Sequence, residues 1–150
     1  MTSTTHRTPT AGRPPAADLR DAPAASVMSR PPVTVQSDDR LDAALLTFRV
    51  HGVRHLVVVG TDGRCTGILT DRSVTAWWVA RPATFDRIRV ADVSNDDEPL
   101  VGEYATLADV ARAMRRRGDD AVVVVDAERR PIGVVTAADL IALLAKPRMP

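Results

Sequence analysis

A chain of 150 residues that is 45% apolar has material for one compact core, or for two small halves that share one. A net charge of +1 argues against a general grip on nucleic acid or anionic membrane, and no apolar run approaches the ~20 residues that span a bilayer. The single cysteine, Cys65, excludes an intrachain disulfide and a four-cysteine zinc site, and an aromatic content of 3% leaves the core to Val, Leu, Ile and Ala.

Residues 1–23 are rich in Thr, Ala and Pro and lack the apolar middle of a secretion signal, so they read as a disordered tail on a cytoplasmic protein. Lys146 is the only lysine among many arginines, the mark of a GC-rich bacterial genome. A short strand is expected near residues 33–35. Ser37 is placed to cap the first helix, with Asp38 and Asp39 in its first turn, where the helix dipole favours anions. Leu41, Ala44, Leu45 and Phe48 follow at helical spacing, and Gly52 is placed to end the helix.

Residues 56–59 (Leu-Val-Val-Val) predict a strand buried on both faces. A turn at 61–63 leads to a second strand at 66–70, in which Cys65 borders the hairpin and is expected to be buried, and a helix follows over 71–80. Trp77 and Trp78 point ~100° apart on that helix, so one is expected to pack inside and the other to face a subunit interface.

The same grammar then recurs. A strand is expected near 100–101, and Thr106 caps a helix with the stripe Leu107, Val110, Ala111 and Met114. Arg115, Arg116 and Arg117 fill its last turn and Gly118 stops it. Residues 121–125 form a valine run, 127–129 a turn, 132–136 a strand and 137–145 a closing helix, with 147–150 as a short C-terminal tail. An offset of 66 carries Leu41 onto Leu107, Gly52 onto Gly118, Val57 onto Val123, Gly67 onto Gly133 and Thr70 onto Thr136. The fold class is therefore α/β (α+β): two tandem βαββα units in a pseudo-twofold pair, each covering the apolar face of the other.

Catalysis finds little support. His6 lies in the tail, His51 ends the first helix, and no Ser-His-Asp arrangement, metal-ligand cluster or Walker loop is present, so no enzyme is expected. The arginine triplet reads as a solvated, dipole-favoured helix end rather than a nucleic-acid surface.

The segments Val27-Met28-Ser29, Gly52 to Val59 and Gly67-Ile68-Leu69-Thr70 resemble one CBS (cystathionine-β-synthase) motif. Asp92-Val93-Ser94 through Gly133 to Leu140 resemble a second. The resemblance covers residues 24–82 and 83–146 as first and second motifs, a stand-alone bacterial CBS pair or Bateman module. It implies a homodimer that binds an adenosine-containing ligand between its motifs: AMP, ADP or ATP first, with or without Mg, and S-adenosylmethionine or a dinucleotide after them. No required cofactor and no metal are implied, and an effector protein of unknown identity would be addressed in trans.

By the same resemblance, Gly-apolar-apolar-Ser/Thr-x-x-Asp carries the ligand chemistry. Thr136 and the first-turn amides of the last helix offer donors to phosphate, Asp139 accepts from ribose hydroxyls, and apolar strand residues cover adenine. The expected nucleotide site is Asp139, Thr136, Ala138 and Val134, completed by Met28, Val33, Val53, Arg54 and His55 from the first repeat. Arg54 would hold phosphate bidentately, and His55 would add a hydrogen bond. The other motif reads Thr70-Asp71-Arg72-Ser73. There Ser73 replaces the ribose-binding aspartate, and Asp119 and Asp120 stand where the first cleft has Val53 and Arg54, so Thr70, Arg72, Ser73, Asp119 and Asp120 mark a degenerate second site. The functional expectation is a ligand sensor; the alternative is an interaction module whose clefts bind nothing.

Overall fold

Each valine run becomes the middle strand of its own three-stranded sheet. The computed structural model describes residues 18–82, 87–94 and 100–147. The first repeat contains β1 (Thr34–Gln36), α1 (Leu41–His51), β2 (His55–Val59), β3 (Cys65–Thr70) and α2 (Asp71–Ala80). After a short helical turn, α3 (Val90–Val93), the second contains β4 (Leu100–Gly102), α4 (Leu107–Arg117), β5 (Ala121–Val125), β6 (Pro131–Thr136) and α5 (Ala137–Ala145). Sheet orders are β1-β2-β3 and β4-β5-β6, the first pair of each parallel and the second antiparallel. A parallel pair needs a crossover, which α1 and α4 supply, whereas the antiparallel pair closes through a tight hairpin.

Side chains alternate across a strand, and here both faces are used. Leu56, Val58 and Leu69 pack with Leu41 and Ala44 of α1. Val57, Val59, Cys65 and Ile68 turn the other way and join Ala121, Val123, Val125 and Val134 of the second sheet. The two sheets thus meet face to face, and Val122, Val124 and Val135 complete the layering against Val110, Ala113 and Met114 of α4. Each fully buried valine contributes on the order of 1.5–3 kcal/mol relative to exposure. Ala113, rather than the expected Ala111, lies in the α4 core; Ala111 is exposed on the α5 side of the helix.

The glycine stops are as expected: Gly52 and Gly118 take the left-handed conformation at φ 63° and 68°. The first helix start is not. Leu41 is its first residue and Arg40 its N-cap, so Ser37, Asp38 and Asp39 lie outside the helix. Asp39 instead accepts the Gln36 amide at 2.9 Å in a preceding turn. The hydrogen bonds that anchor this helix start come from elsewhere: Leu41 N–H donates to Ile88 O and Val90 N–H to Asp39 O.

The second repeat mirrors this with the N-terminal segment. Leu107 N–H donates to Ala22 O and Ala24 N–H to Ala105 O, and Ala24 is fully buried beside Val110. Residues 18–23, expected in the tail, are therefore tied to α4, with a 3₁₀ turn at Leu19–Asp21; residues 1–17 lie outside the described residues. The reason is that α4 exposes an apolar flank which the preceding turn covers.

At the hairpin end, Cys65 N–H donates to Arg129 O at 2.9 Å and Arg129 Nε returns a bond to Cys65 O at 3.1 Å. Trp77 packs against the first core, with Arg81 4.6 Å over its ring, while Trp78 is 46% exposed.

Ser29 and Val134 exchange both backbone hydrogen bonds, drawing Met28 against Gly133. A Cβ on Gly133 would lie 2.5 Å from Met28 Sδ and 3.0 Å from Ser29 O. Gly133→Ala is therefore expected to destabilise by ~1–3 kcal/mol in urea unfolding. Gly102→Ala, whose Cβ meets nothing within 4 Å, is the control and should cost less than about 1 kcal/mol.

Candidate functional site

Two clefts open where the closing helices begin, each walled by residues of both repeats. The cleft at α5 has a volume of about 280 Å³. Ser29, Pro31, Pro32 and Val33 form one side, Val53, Arg54 and His55 a second, and Asp120, Val134, Thr136, Ala137 and Ala138 the third. Of the residues expected there, Val33, Val53, Arg54, His55, Val134, Thr136 and Ala138 are brought together. Met28 lies against Gly133 instead, outside the lining. Asp139 is turned back on its own helix start: Oδ2 accepts the Thr136 amide at 2.8 Å while Thr136 Oγ1 accepts the Asp139 amide at 3.2 Å. This reciprocal capping box fixes the first turn of α5.

The cleft at α2 is larger, about 450 Å³, and more polar. Of the residues assigned to it from the sequence, Thr70, Arg72, Asp119 and Asp120 line it, joined by Asp71, Thr75, Ala76 and Gly118. Ser73 does not line it; its Oγ accepts the Thr70 amide at 3.1 Å, the same cap that Asp139 makes.

The two helix starts differ in what they leave open. In both, the first amide is taken by the residue just before the facing strand (Asp71 N–H to Arg54 O, Ala137 N–H to Asp120 O) and the third by the capping threonine. On α2 the second amide, that of Arg72, is taken by Asp71 Oδ1 at 2.9 Å. On α5 the residue equivalent to Asp71 is Ala137, and among the described residues no side chain reaches the Ala138 amide. An uncapped amide at a helix start favours an anion or an electron-rich oxygen.

Arg54, His55 and Asp120 line both clefts. Arg54 Nε stands 3.7 Å from Asp71 Oδ2, an exposed and therefore weak pair. The His55 ring, only 12% exposed, places Nε2 2.9 Å from Asp120 Oδ1, a side-chain bond that ties one repeat to the other. The hydrogen bond from His55 holds the Asp120 carboxyl below its ordinary range, against a smaller opposing effect of burial. The sequence reading missed that Asp120 faces the α5 cleft, and missed Asp71 altogether. The signal for the second was available, because the 66-residue offset sets Asp71 opposite Ala137.

Among the described residues no three His, Cys, Asp or Glu side chains stand together as metal ligands, and no helix is long and apolar enough to cross a membrane. The CBS domain family model matches this sequence twice, over residues 24–79 and 90–146. The chain belongs to the CBS domain family. A CBS domain-containing protein of Dictyostelium discoideum is 29% identical over 132 residues, spanning 80% of this chain and 89% of that one. L-Aspartate semialdehyde sulfurtransferase of Methanocaldococcus jannaschii is 28% identical over 116 residues, but this chain spans only 21% of its length. Among solved structures, the CBS domain pair of protein MJ0100, in complex with 5′-methylthioadenosine and S-adenosyl-L-methionine, superposes with a TM-score of 0.73 at 25% identity, covering 82% of this chain and 95% of that one. The cytosolic domain of the Mg²⁺ channel MgtE, in complex with ATP, gives 0.69 at 25% identity, covering 83% of this chain and 50% of that one.

The His55–Asp120 bond of this CBS pair carries a pH signature. Because Asp120 titrates lower in the folded chain, its contribution to stability is present above the unfolded carboxylate pKa of ~3.9 and is lost as pH falls through the lower folded value. The carboxylate is 61% exposed, which limits the contribution to below about 1 kcal/mol. Urea midpoints of wild type and Asp120→Asn should therefore differ at pH 6 and draw together as pH falls below the ordinary carboxylate range. A difference unchanged across that window would count against the bond.

Proposed function

We propose that this chain is a regulatory module without catalysis of its own, sensing an adenosine-containing ligand in the α5 cleft. The observation that carries the reading is the contrast between two equivalent clefts: the α5 cleft joins an apolar wall to a helix-start amide that no side chain caps. Val33, Val53 and Val134 supply surface for a flat base. Thr136 and the Ala138 amide face the same space, and Arg54 reaches it for a phosphate. Asp139 spends Oδ2 on its cap, and the reading gives Oδ1 to a ribose hydroxyl. Related CBS pairs crystallised with adenosyl compounds support the choice of ligand class.

Ligand binding would bridge Val53–His55 of one repeat and Val134–Ala138 of the other, fixing the angle between them for an effector protein to read in trans. The reading also takes the chain as a cytoplasmic homodimer, for which exposed apolar side chains on its helices (Trp78, Val79, Ile141 and Leu144) provide area.

Thermal unfolding against a panel of adenosine compounds tests the ligand. A compound at a hundred times its Kd adds about 2.7 kcal/mol, an increase in Tm of roughly 5–10 °C for a chain of this size. Ala138→Glu places a carboxylate in the cleft at an exposed first-turn position, where it suits the helix dipole. The variant should keep its unliganded Tm and lose the shift. Absence of any shift in the wild type would turn the assignment to a protein-interaction module.

A further inference from the structure

The ionisable side chains around the α5 cleft are few and poorly matched to a polyphosphate. Among the described residues Arg54 is the sole arginine lining it and no lysine does, and that guanidinium is drawn toward Asp71 in the neighbouring cleft. Asp120 brings a carboxylate to the same lining, held across the repeat boundary by His55 at 2.9 Å. The carboxylate is charged at neutral pH, as an aspartate ordinarily is, and the bond from His55 favours that charged form further. The helix start adds little: the Ala137 amide is taken by Asp120 O and the Asp139 amide by Thr136 Oγ1, which leaves that of Ala138.

We propose that the α5 cleft selects among adenosine compounds by charge, accepting those with no phosphate or a single one, and that Asp120 is the residue that turns polyphosphates away. The inference rests on the adenosine reading of this cleft and sharpens it. An uncharged nucleoside meets the apolar wall and the Asp139 side without opposing the carboxylate. A single phosphate finds one amide and one guanidinium. Further phosphates bring charge that no remaining cation in the cleft offsets, and they stand against Asp120. Selectivity of this kind is built by repulsion of the wrong ligand as much as by attraction of the right one.

The same carboxylate also lines the α2 cleft, with Asp71 and Asp119. Arg54 and Arg72 line that cleft too, so three carboxylates there stand against two guanidinium groups, and its Arg72 amide is already capped.

Isothermal titration with adenosine, AMP and ATP, in magnesium-free buffer of fixed ionic strength, tests this on wild type and Asp120→Asn. Asparagine keeps an acceptor for His55 while removing the charge. In the wild type, adenosine and AMP are expected to bind about tenfold or more tightly than ATP. In Asp120→Asn the affinity for ATP should rise about three- to tenfold, with adenosine changed by less than about twofold. ATP binding tightest to the wild type, or an ATP-to-adenosine ratio unmoved by the substitution, overturns the inference while adenosine binding leaves the cleft assignment standing. If none of the three binds the wild type, the cleft assignment fails and this inference fails with it.

Discussion

The face-to-face contact between the two sheets sets the conditions for everything else in this chain. It is made by alternate residues of β2 and β5, with Val57 and Val59 gathered beside Val123 and Val125, while Leu56, Val58, Val122 and Val124 face the helices. A strand whose two faces are both buried tolerates no polar residue over its middle, which accounts for the unbroken valine runs. It also fixes register indirectly: a one-residue slip would exchange the sheet-facing set for the helix-facing set. With both faces consumed, the two clefts walled by both repeats open beyond the strand ends, where α2 and α5 begin. The clefts are thus a consequence of the packing, and their walls must come from both repeats.

The second constraint is the exchange of leading segments. Ala24 packs with α4 of the second repeat and Val90 with α1 of the first, both fully buried and 66 residues apart. Each repeat is finished by the segment that introduces the other. For the N-terminal segment this has a direct effect on the α5 cleft. After pairing with Val134 through Ser29, the chain runs through Pro31 and Pro32 to β1, and those residues become the cleft wall. Gly133 permits the close approach because it has no side chain to meet Met28. Packing that looks purely structural therefore sets how wide the cleft stands.

Much of this was legible in the sequence because the repeat supplied two readings of each element. The valine strands, both hairpins, the extents of α2 and α5 and the glycine stops all follow from local pattern, and local pattern is what the repeat duplicates. The start of α1 was misplaced because Ser37, Asp38 and Asp39 offer good capping chemistry that the chain uses for a turn instead. The true start depends on Ile88, a residue 47 positions beyond Leu41, and no window around the helix contains that information. The second repeat held the correction, since Thr106 caps α4 and its equivalent is Arg40. For the site, residue identity could assign Asp120 to the second cleft by symmetry, but not to the first. That placement comes from a side-chain bond to His55 across the repeat boundary, which spacing along the chain does not encode.

A symmetric fold with asymmetric clefts requires that a few substitutions change chemistry without changing the frame, and residues 73 and 139 show how. Ser73 and Asp139 make the same capping bonds, each side chain accepting from a threonine amide while its own amide donates back to the threonine Oγ1. Capping therefore does not require aspartate at 139; serine satisfies the helix equally well on α2. What aspartate adds is its second oxygen and its charge, neither of which the cap consumes. The reverse holds at 71 and 137, where alanine gives up nothing that α5 needs, but leaves open an amide that Asp71 closes on α2. The difference at 71 and 137 leaves the α5 helix start more open than that of α2, and neither pair of substitutions disturbs the packing that holds the two clefts in place.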